Sequence, residues 1–196
     1  DGSVAEEITF SGGKRDGRST VWLTPEEKQE EKFYKNGKLD GPSTFWENGY
    51  RSTMTTYKSD SPEGPWVIWF SNSDQIKEQG FHQKGIREGL TTYYYEDGTM
   101  QREGFFKEGL PDGMWTYWNK KGERDFDFDF GSGLQHISLE DLVERESTFY
   151  KLGEDTPFTG IITQENPEAD YLFLGRTKGG KKDGQWVKWF PSGKDV

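Results

Sequence analysis

Short segments of mixed polar and apolar residues, rich in aromatic rings, run along nearly the whole sequence, and glycine-containing turns separate them. Residues 90–95 and 100–106 are one example, with the polar turn Glu96-Asp97-Gly98-Thr99 between them. The 25 Gly and 8 Pro interrupt the chain too often for long helices, which favours short β-strands. Asp-Gly or Asn-Gly pairs supply the positive φ angles that tight hairpins need. The pattern predicts an all-β fold in which neighbouring strands form antiparallel hairpins.

A Gly-x-x-[Asp/Glu]-Gly motif recurs along the chain with a period of about 24 residues. Its second glycine, with further glycines in the same register, is assigned a structural role in a turn: Gly17, Gly41, Gly64, Gly89, Gly113, Gly160 and Gly184. All eight Trp follow one of these glycines by two or five residues. A second polar turn follows in the period, as at Asp97-Gly98, Lys121-Gly122 and Ser192-Gly193. Each period is therefore predicted to hold two turns and two short strands.

These motifs resemble the bacterial variant of the MORN repeat, most clearly in residues 184–193, Gly-Gln-Trp-Val-Lys-Trp-Phe-Pro-Ser-Gly. Residues 141–145, followed by Phe149-Tyr150 and residues 157–160, resemble a leader that often opens such arrays. The resemblance covers residues 8–193 and implies about seven β-hairpins in one elongated, twisted antiparallel sheet. Some bacterial members of that family are catalogued as antitoxin-like. Thr24-Pro25-Glu26-Glu27 departs from the pattern, and residues 126–148 have lost the motif.

The lost period divides the predicted array into two segments. Residues 8–130 hold five repeats, and residues 131–196 hold a degenerate connector with two further repeats. Because two repeats alone bury little surface, both segments are expected to form one continuous body. Ser138 precedes acidic residues and is a candidate N-cap for a short helical turn near residues 138–145.

The composition indicates a core built from aromatic rings. Hydrophobic residues make up only 30% of the chain, but Phe, Tyr and Trp reach 16%, and large rings bury much area per residue. The net charge of −10 without a long basic run argues against nucleic-acid partners and makes binding to anionic membranes unfavourable. The start at Asp1-Gly2-Ser3 favours a periplasmic or extracellular protein over a cytoplasmic one, although trimming of the sequence explains the same start.

Carboxylates provide two candidate sites, each with a structural alternative. Asp125, Asp127 and Asp129 alternate with Phe126, Phe128 and Phe130; they are candidate Ca²⁺ ligands, but a charged strand that discourages edge pairing fits the straight alternation better. The acid before the second glycine could serve as an acid or base, yet its recurrence favours hydrogen bonds to turn amides: Asp16, Asp40, Glu63, Glu88, Asp112 and Asp183.

The sequence offers no set of residues for a metal, a cofactor or covalent catalysis. Cysteine is absent, and the two histidines, His82 and His136, lie in different regions. No nucleophile elbow or phosphate-binding loop with its Lys is present. We therefore expect no cofactor, no metal and no enzymatic activity.

The aromatic rows are the candidate binding surface. Strand positions two and five residues after the glycine differ in parity, so their rings are expected on opposite faces of the sheet. The candidate anchors for a partner are Trp66, Trp69, Tyr94, Trp115 and Trp118. The alternative is that these rings pack on neighbouring repeats along the array.

The expected function is protein binding through the sheet surface, with a scaffold, antitoxin or immunity role. In the antitoxin version the acidic surface blocks a basic toxin. Glycan binding through the same aromatic rows is the alternative, for example to a cell-wall or surface polysaccharide. The open edges of the sheet also permit an edge-to-edge homodimer.

Overall fold

The structure is a computed structural model that describes residues 5–166, 168 and 171–191. Within that part of the chain, 19 β-strands and one 3-10 turn, Leu139–Asp141, account for the regular structure. The prediction of an all-β fold built from antiparallel hairpins is confirmed. The start Asp1-Gly2-Ser3 and the predicted turn at Ser192-Gly193 lie outside the described residues.

The chain forms two compact units. Unit 1 comprises Asp1–Met100 and Phe106–Gly109, and unit 2 comprises Gln101–Phe105 and Leu110–Val196. The sequence placed the boundary between residues 130 and 131, but the division falls within strand β10 (Met100–Lys107). The strands of the fifth predicted repeat therefore belong to unit 2, because their contacts are made there.

The sheet of unit 1 is an antiparallel meander in which most strands pair with their neighbours in sequence. Its order is β1-β2-β3-β4-β5-β6-β7-β9, and β8 pairs with β7. This is the arrangement that consecutive short turns dictate. The strands are β1 (Glu6–Ser11), β2 (Lys14–Trp22), β3 (Lys28–Lys35), β4 (Lys38–Glu47), β5 (Tyr50–Lys58), β6 (Ser61–Trp69), β7 (Ile76–Gln83), β8 (Ile86–Arg87) and β9 (Gly89–Tyr94).

Two-residue turns connect β1 to β2, β3 to β4, β5 to β6 and β7 to β8. Both central residues have positive φ, as in Asn36-Gly37 with φ 52° and 87°, which is the signature of the type I′ turn. The first glycine of the sequence motif provides the second central residue at Gly13, Gly37 and Gly85, whereas Ser59-Asp60 forms the turn between β5 and β6.

Successive type I′ turns hydrogen-bond to one another, and we call this arrangement the turn stack. The Gly37 N–H donates to the Arg15 carbonyl at 2.7 Å, and the Asn36 N–H donates to the Asp16 carboxylate at 3.0 Å. The Lys84 N–H donates likewise to Glu63 at 2.7 Å. The structural role predicted for the turn acids is therefore confirmed for Asp16, Glu63 and Glu88.

One turn of the stack uses its own side chain instead. Between β5 and β6, the Asp60 N–H donates to the Leu39 carbonyl at 2.9 Å. The Asp60 carboxylate accepts the Leu39 N–H at 2.7 Å. The turn stack is therefore maintained at the turn where the motif lacks its first glycine. There the Asp60 carboxylate, within the turn itself, takes the place of a carboxylate from the preceding turn.

The second glycine of the motif does not form the hairpin turn, which corrects the sequence assignment. Gly41 lies inside β4, where Ser43 and Leu39 pair with Lys32 and Tyr34 and the register shifts between those pairs. Its φ is 126°, and a Cβ there would lie 2.9 Å from the Phe33 Cβ, so only glycine fits this bulge. All seven assigned glycines have positive φ: Gly17, Gly41, Gly64 and Gly113 lie within strands, Gly89 and Gly160 begin strands, and Gly184 lies between strands.

Unit 2 contains three sets of paired strands. The set β11–β12 is an antiparallel hairpin, β14–β15 is another, and β13-β16-β17-β18 form a sheet in which β19 also pairs with β17. The strands are β11 (Leu110–Trp118), β12 (Arg124–Asp129), β13 (His136–Ser138), β14 (Leu142–Arg145), β15 (Thr148–Lys151), β16 (Gly160–Asn166), β17 (Tyr171–Lys178), β18 (Lys181–Lys182) and β19 (Val187–Trp189).

Two features of unit 2 depart from the sequence prediction. Strands β13 and β16 pair in parallel, whereas a simple meander contains antiparallel pairs alone. The helical turn is present at Leu139–Asp141, but the Ser138 side chain makes no capping hydrogen bond. Its hydroxyl donates to the Glu140 carboxylate at 3.3 Å instead.

The last hairpin of unit 2 reproduces the turn stack with a different side chain. The Gly180 N–H donates to the Phe158 carbonyl at 2.8 Å. The Gly179 N–H donates to the Thr159 hydroxyl at 2.7 Å. Thr159 occupies the position of the turn acid, directly before Gly160, so a hydroxyl replaces the carboxylate as acceptor.

The two units have different cores. Unit 1 buries Trp66, Trp69, Tyr95 and Phe106 together with small hydroxyl residues such as Thr20. Unit 2 adds aliphatic residues, which the low hydrophobic content did not indicate: Ile161, Ile162, Leu172 and Leu174 are buried. Ile162 forms a core cluster with Phe149 and Phe158. An aromatic core, as predicted from composition, therefore describes unit 1 better than unit 2.

The bulge geometry predicts a large stability effect at Gly41. Gly41→Ala should lower the free energy of unfolding by about 1–3 kcal/mol, because Ala is strained at this φ and its Cβ meets Phe33. Gly12→Asn is the control: no heavy atom lies within 4 Å of its Cβ position, and Asn tolerates the left-handed region. Chemical denaturation measures both variants, and equal stabilities would refute the bulge explanation.

The turn stack predicts a smaller effect at Glu88. Its carboxylate accepts the Glu108 N–H at 2.9 Å. Glu88→Ala should therefore cost about 1–2 kcal/mol of unfolding free energy, and Glu88→Gln should recover part of it because the amide oxygen still accepts. Glu96→Ala, in the exposed loop after β9, is the control and should change the stability by less than about 0.5 kcal/mol. A loss at Glu96 as large as at Glu88 would contradict this assignment.

Candidate functional site

The pairing register of unit 1 defines two faces of its sheet. Ser19, Lys32, Ser43, Thr55 and Trp66 pair across β2 to β6 and share one face, which we call face A. The adjacent row lies on the opposite face, which we call face B, because successive side chains alternate. This row consists of Thr20, Glu31, Thr44, Met54, Val67, Gln79 and Thr92.

Trp66 and Trp69 project from opposite faces, as their spacing predicts. The register between β6 and β7 shifts between Ile68 and Trp69, whose partners are Glu78 and Ile76. The extra residue therefore lies on β7, and the alternation along β6 is unbroken. Trp66 lies on face A and Trp69 on face B.

Three of the five candidate anchors are nevertheless core residues, which corrects that part of the prediction. Trp66 is 2% exposed, Trp69 8% and Trp115 3%. Rings so deeply buried offer almost no surface to a partner. Tyr94 and Trp118 are half-buried, and their role as anchors stays a prediction.

Three of the Trp rings pack over glycines of neighbouring strands. Gly80 pairs with Trp66, and a Cβ on Gly80 would lie 2.8 Å from that indole. In unit 2, Gly104 and Gly175 lie against Trp115 and Trp186 in the same way. The Trp115 and Trp186 indole N–H groups each donate to the backbone carbonyl ten residues earlier, at 3.1 and 3.0 Å. These rings pack between strands, as the alternative interpretation of the aromatic rows expected.

Cations cover two of the Trp rings that lie five residues after the glycine. The Lys28 ammonium lies 5.4 Å from the centre of the Trp46 ring, and the Arg51 guanidinium lies 4.8 Å from that of Trp69. Each cation lies on the strand that precedes the Trp strand in sequence. Lys28 is at the start of β3 and Arg51 is near the start of β5, at the end of the sheet opposite the type I′ turns. Cation–π contacts of this kind stabilise the edge of the sheet and shield the rings from a partner.

Face A carries a charged cluster around Arg87. The Arg87 guanidinium lies 4.4 Å from the centre of a Trp66 ring and donates to the Tyr93 hydroxyl at 2.9 Å. It also forms an ion pair with Glu78 at 3.2 Å. His82 lies beside Trp66 with ring centres 5.6 Å apart. The carboxylate and guanidinium neutralise each other above the Trp66 ring.

Three buried polar atoms in this cluster have no hydrogen-bond partner among the described residues: Trp66 Nε1, His82 Nδ1 and Thr91 Oγ1. An unsatisfied buried group costs about 1–3 kcal/mol. Burial, and secondarily the charge of Arg87, lowers the pKa of His82 below its ordinary value. The cluster therefore disfavours a second positive charge.

Face B carries a row of exposed apolar side chains, which we call the apolar row: Pro42, Pro65, Phe81 and Leu90. Pro65 pairs with Phe81, and the register between β7 and β9 continues the row to Leu90. Phe81 is 44% exposed and Leu90 45%. Thr56 pairs with Pro42 and connects it to the rest of the row.

The sequence analysis did not identify this row, although the motif contains a signal for it. Pro42, Pro65 and Leu90 each follow directly after the second glycine of the motif, and Met114 does so in unit 2, where it is 57% exposed. An apolar residue therefore follows the second glycine in four of the repeats, which indicates a shared position on the sheet. An assignment of this glycine to a turn hides the signal, because a residue in a turn has no defined face of the sheet.

The three Asp of the 125–129 segment each have a different partner in unit 2. Asp125 accepts the Trp189 indole N–H at 2.8 Å, and Asp129 accepts the Gly131 N–H at 2.8 Å. Asp127 forms an ion pair with Arg124, whose hydrogen bond lowers the pKa of Asp127. Among the described residues, no group of three or more His, Asp or Glu is placed to hold a metal ion.

The second histidine, His136, lies in unit 2 and stacks on Phe130 with ring centres 5.6 Å apart and planes 7° apart. Burial lowers the pKa of His136, although Asp112 opposes this shift. His136 therefore has the environment of a core residue, and the two histidines lie in separate units as the sequence indicated.

No protein-family model matches this sequence, and a search of curated proteins found no match. In the part of the chain that the structure describes, no helix is both long enough and apolar enough to cross a membrane.

The lowered pKa of His82 predicts a pH-dependent stability. Because the folded-state pKa lies below the unfolded value of about 6.5, the folded state favours the neutral ring. Stability should be highest above that value and should fall as the pH drops below it towards the folded pKa. His82→Gln should make the unfolding free energy of unit 1 less dependent on pH between about 7.5 and 5.

The pKa of His136 is also lowered, so both histidines contribute to the pH dependence. The measurement therefore compares His82→Gln, His136→Gln and the double variant by denaturation at several pH values. Each single variant should remove part of the slope, and the double variant should remove the most. If His82→Gln leaves the pH dependence of the unfolding free energy unchanged, the burial of His82 beside Arg87 does not lower its pKa as described.

Proposed function

We propose that this chain is a non-enzymatic binding protein of MORN-type hairpin repeats, and that it engages a protein partner through face B of unit 1. The observation that carries the proposal is the exposed apolar row, in which Pro65, Phe81 and Leu90 are adjacent across three strands. Contiguous exposed apolar residues on a folded surface are typical of sites that bind proteins. Tyr94, half-buried on the same face, remains a candidate anchor.

The contacts of the carboxylates support a non-enzymatic role. Asp16, Glu63 and Glu88 accept backbone amides in the turn stack, and Glu78 is paired with Arg87. General acid–base catalysis needs a carboxyl group directed at a substrate. These four carboxylates instead contact backbone amides or a guanidinium of the protein.

The antitoxin or immunity role is a narrower form of protein binding. It rests on the family resemblance and on the net charge of −10, which would attract a basic partner to the acidic surface away from the apolar row. Glycan binding was the alternative, and it requires aromatic rings on an open face. Trp66, Trp69 and Trp115 are buried, so the observations favour a protein partner.

The test is an affinity pull-down with the tagged full-length chain from extracts of its source organism, at low and high salt. Phe81→Ser/Leu90→Ser is the test variant, and Leu23→Ser is the control because Leu23 is 68% exposed in a loop outside the row. Wild type and control should recover one protein in stoichiometric amounts. The double variant should recover at least about tenfold less, the loss expected on removing anchor residues.

Tyr94→Ala extends the test to the remaining aromatic candidate of unit 1. It should weaken recovery of the same partner while the circular dichroism spectrum stays that of the folded sheet. Equal recovery by all variants would remove face B as the binding surface. If no protein is recovered, a change in Trp fluorescence on titrating oligosaccharides would replace the protein proposal with the glycan one.

A further inference from the structure

A row of lysines lies at the type I′ turns of unit 1, beside the apolar row. Lys35 lies four residues after Glu31, and Lys58 lies four residues after Met54. Both reference residues are on face B and alternation along β3 and β5 is unbroken, so the two lysines share that face. Lys38 pairs with Lys35. With Lys84, a central residue of the turn between β7 and β8, these side chains form what we call the lysine edge: Lys35, Lys38, Lys58 and Lys84.

The lysine edge has no anionic partners within the described residues. All four side chains are exposed, and none of them forms an ion pair there within 4.0 Å. Three motif acids, Asp16, Glu63 and Glu88, accept backbone amides in the turn stack. Asp40, which lies beside Lys38 in the sequence, forms no ion pair within 4.0 Å with these lysines, all of which belong to the described part of the chain. The ammonium groups are therefore available to an anionic partner.

The charges of unit 1 are unevenly distributed. The segments around the type I′ turns hold eight Lys or Arg and six Asp or Glu, whereas the rest of unit 1 holds five and twelve. These segments are residues 8–17, 33–41, 57–64, 82–89 and 106–109. An acidic partner is thus attracted to the end of the sheet that carries the apolar row and repelled by the other end.

The direction of the apolar row indicates which secondary structure fits it. The row crosses the strands from β4 to β9, and four strand intervals of about 4.8 Å span roughly 19 Å. The strand backbones under face B are already paired within the sheet, so a partner meets side chains only. An extended peptide there would leave its own amides without partners, whereas a helix satisfies them internally.

We infer that face B of unit 1 binds an acidic amphipathic helix of a partner protein. Its apolar side chains would rest on Phe81, Leu90 and Pro65, and its carboxylates would reach the lysine edge. A helix of about 13 residues spans the row at 1.5 Å per residue, and this mode of recognition uses apolar residues at i, i+3, i+4 and i+7. The inference rests on the proposed protein-binding function and specifies the partner chemistry.

The test is a selection of random 20-residue peptides displayed on phage against the immobilised full-length chain. Enriched peptides should combine helical apolar spacing with Asp and Glu. The dissociation constant of a synthetic copy of the most enriched peptide is then measured by fluorescence anisotropy at low and high salt. Binding should weaken at high salt, because the charge contacts are exposed and screened.

Variants locate the binding site. Phe81→Ser/Leu90→Ser should weaken peptide binding by at least about tenfold and Lys58→Glu by about three- to tenfold. Lys77→Glu is the matched charge reversal at the other end of β7, and Leu23→Ser is the apolar control; each should change affinity by less than about twofold. Circular dichroism and thermal unfolding confirm that each variant is folded.

The outcomes separate this inference from the proposed function. Enrichment of basic peptides, or of peptides whose affinity ignores Phe81, Leu90 and Lys58, overturns the acidic-helix inference but leaves protein binding in place. Failure to enrich any peptide also overturns the inference, and the pull-down then decides the proposed function independently. Acidic peptides that depend on face B support both.

Discussion

The hydrogen bonds between successive type I′ turns are the constraint on which the sheet of unit 1 depends. At most of these turns two backbone amides donate to the preceding turn, where a carbonyl and a carboxylate accept them, as Gly37 and Asn36 do against Arg15 and Asp16. At Ser59-Asp60 one amide donates and the Asp60 carboxylate accepts the Leu39 N–H in return. The turns are thereby held one above the other, and the strands between them keep their register.

The bulge glycines connect this edge to the surface of the sheet. Close to each stacked turn, a positive-φ glycine such as Gly41 allows the extra residues of the bulge to fit against the neighbouring strand. The residue after it is then exposed on face B, as Pro42 is. On face A the space above Gly80 is filled by Trp66. Glycine thus determines both where a ring is buried and where an apolar residue is exposed.

Local features of the fold were predictable from sequence, and features that depend on distant strands were not. The Asn36-Gly37 turn and the 24-residue register are encoded within a few residues. The burial of Trp66 depends on Gly80 in the next strand and on Arg87 beyond it, which spacing alone does not reveal. The parallel pairing of His136–Ser138 with β16 is likewise set by the packing of unit 2.

The same distinction explains why the candidate binding surface is the apolar row and not the Trp rings that the sequence indicated. A repeat must bury its largest rings before it can be stable, and cross-strand glycines such as Gly80 leave space in which an indole such as that of Trp66 packs against the strand. The residues left for recognition are therefore of moderate size and at exposed positions, such as Phe81 and Leu90. Because the turn stack occupies carboxylates and not lysines, the same constraint that aligns the hairpins also leaves a basic edge beside an apolar surface.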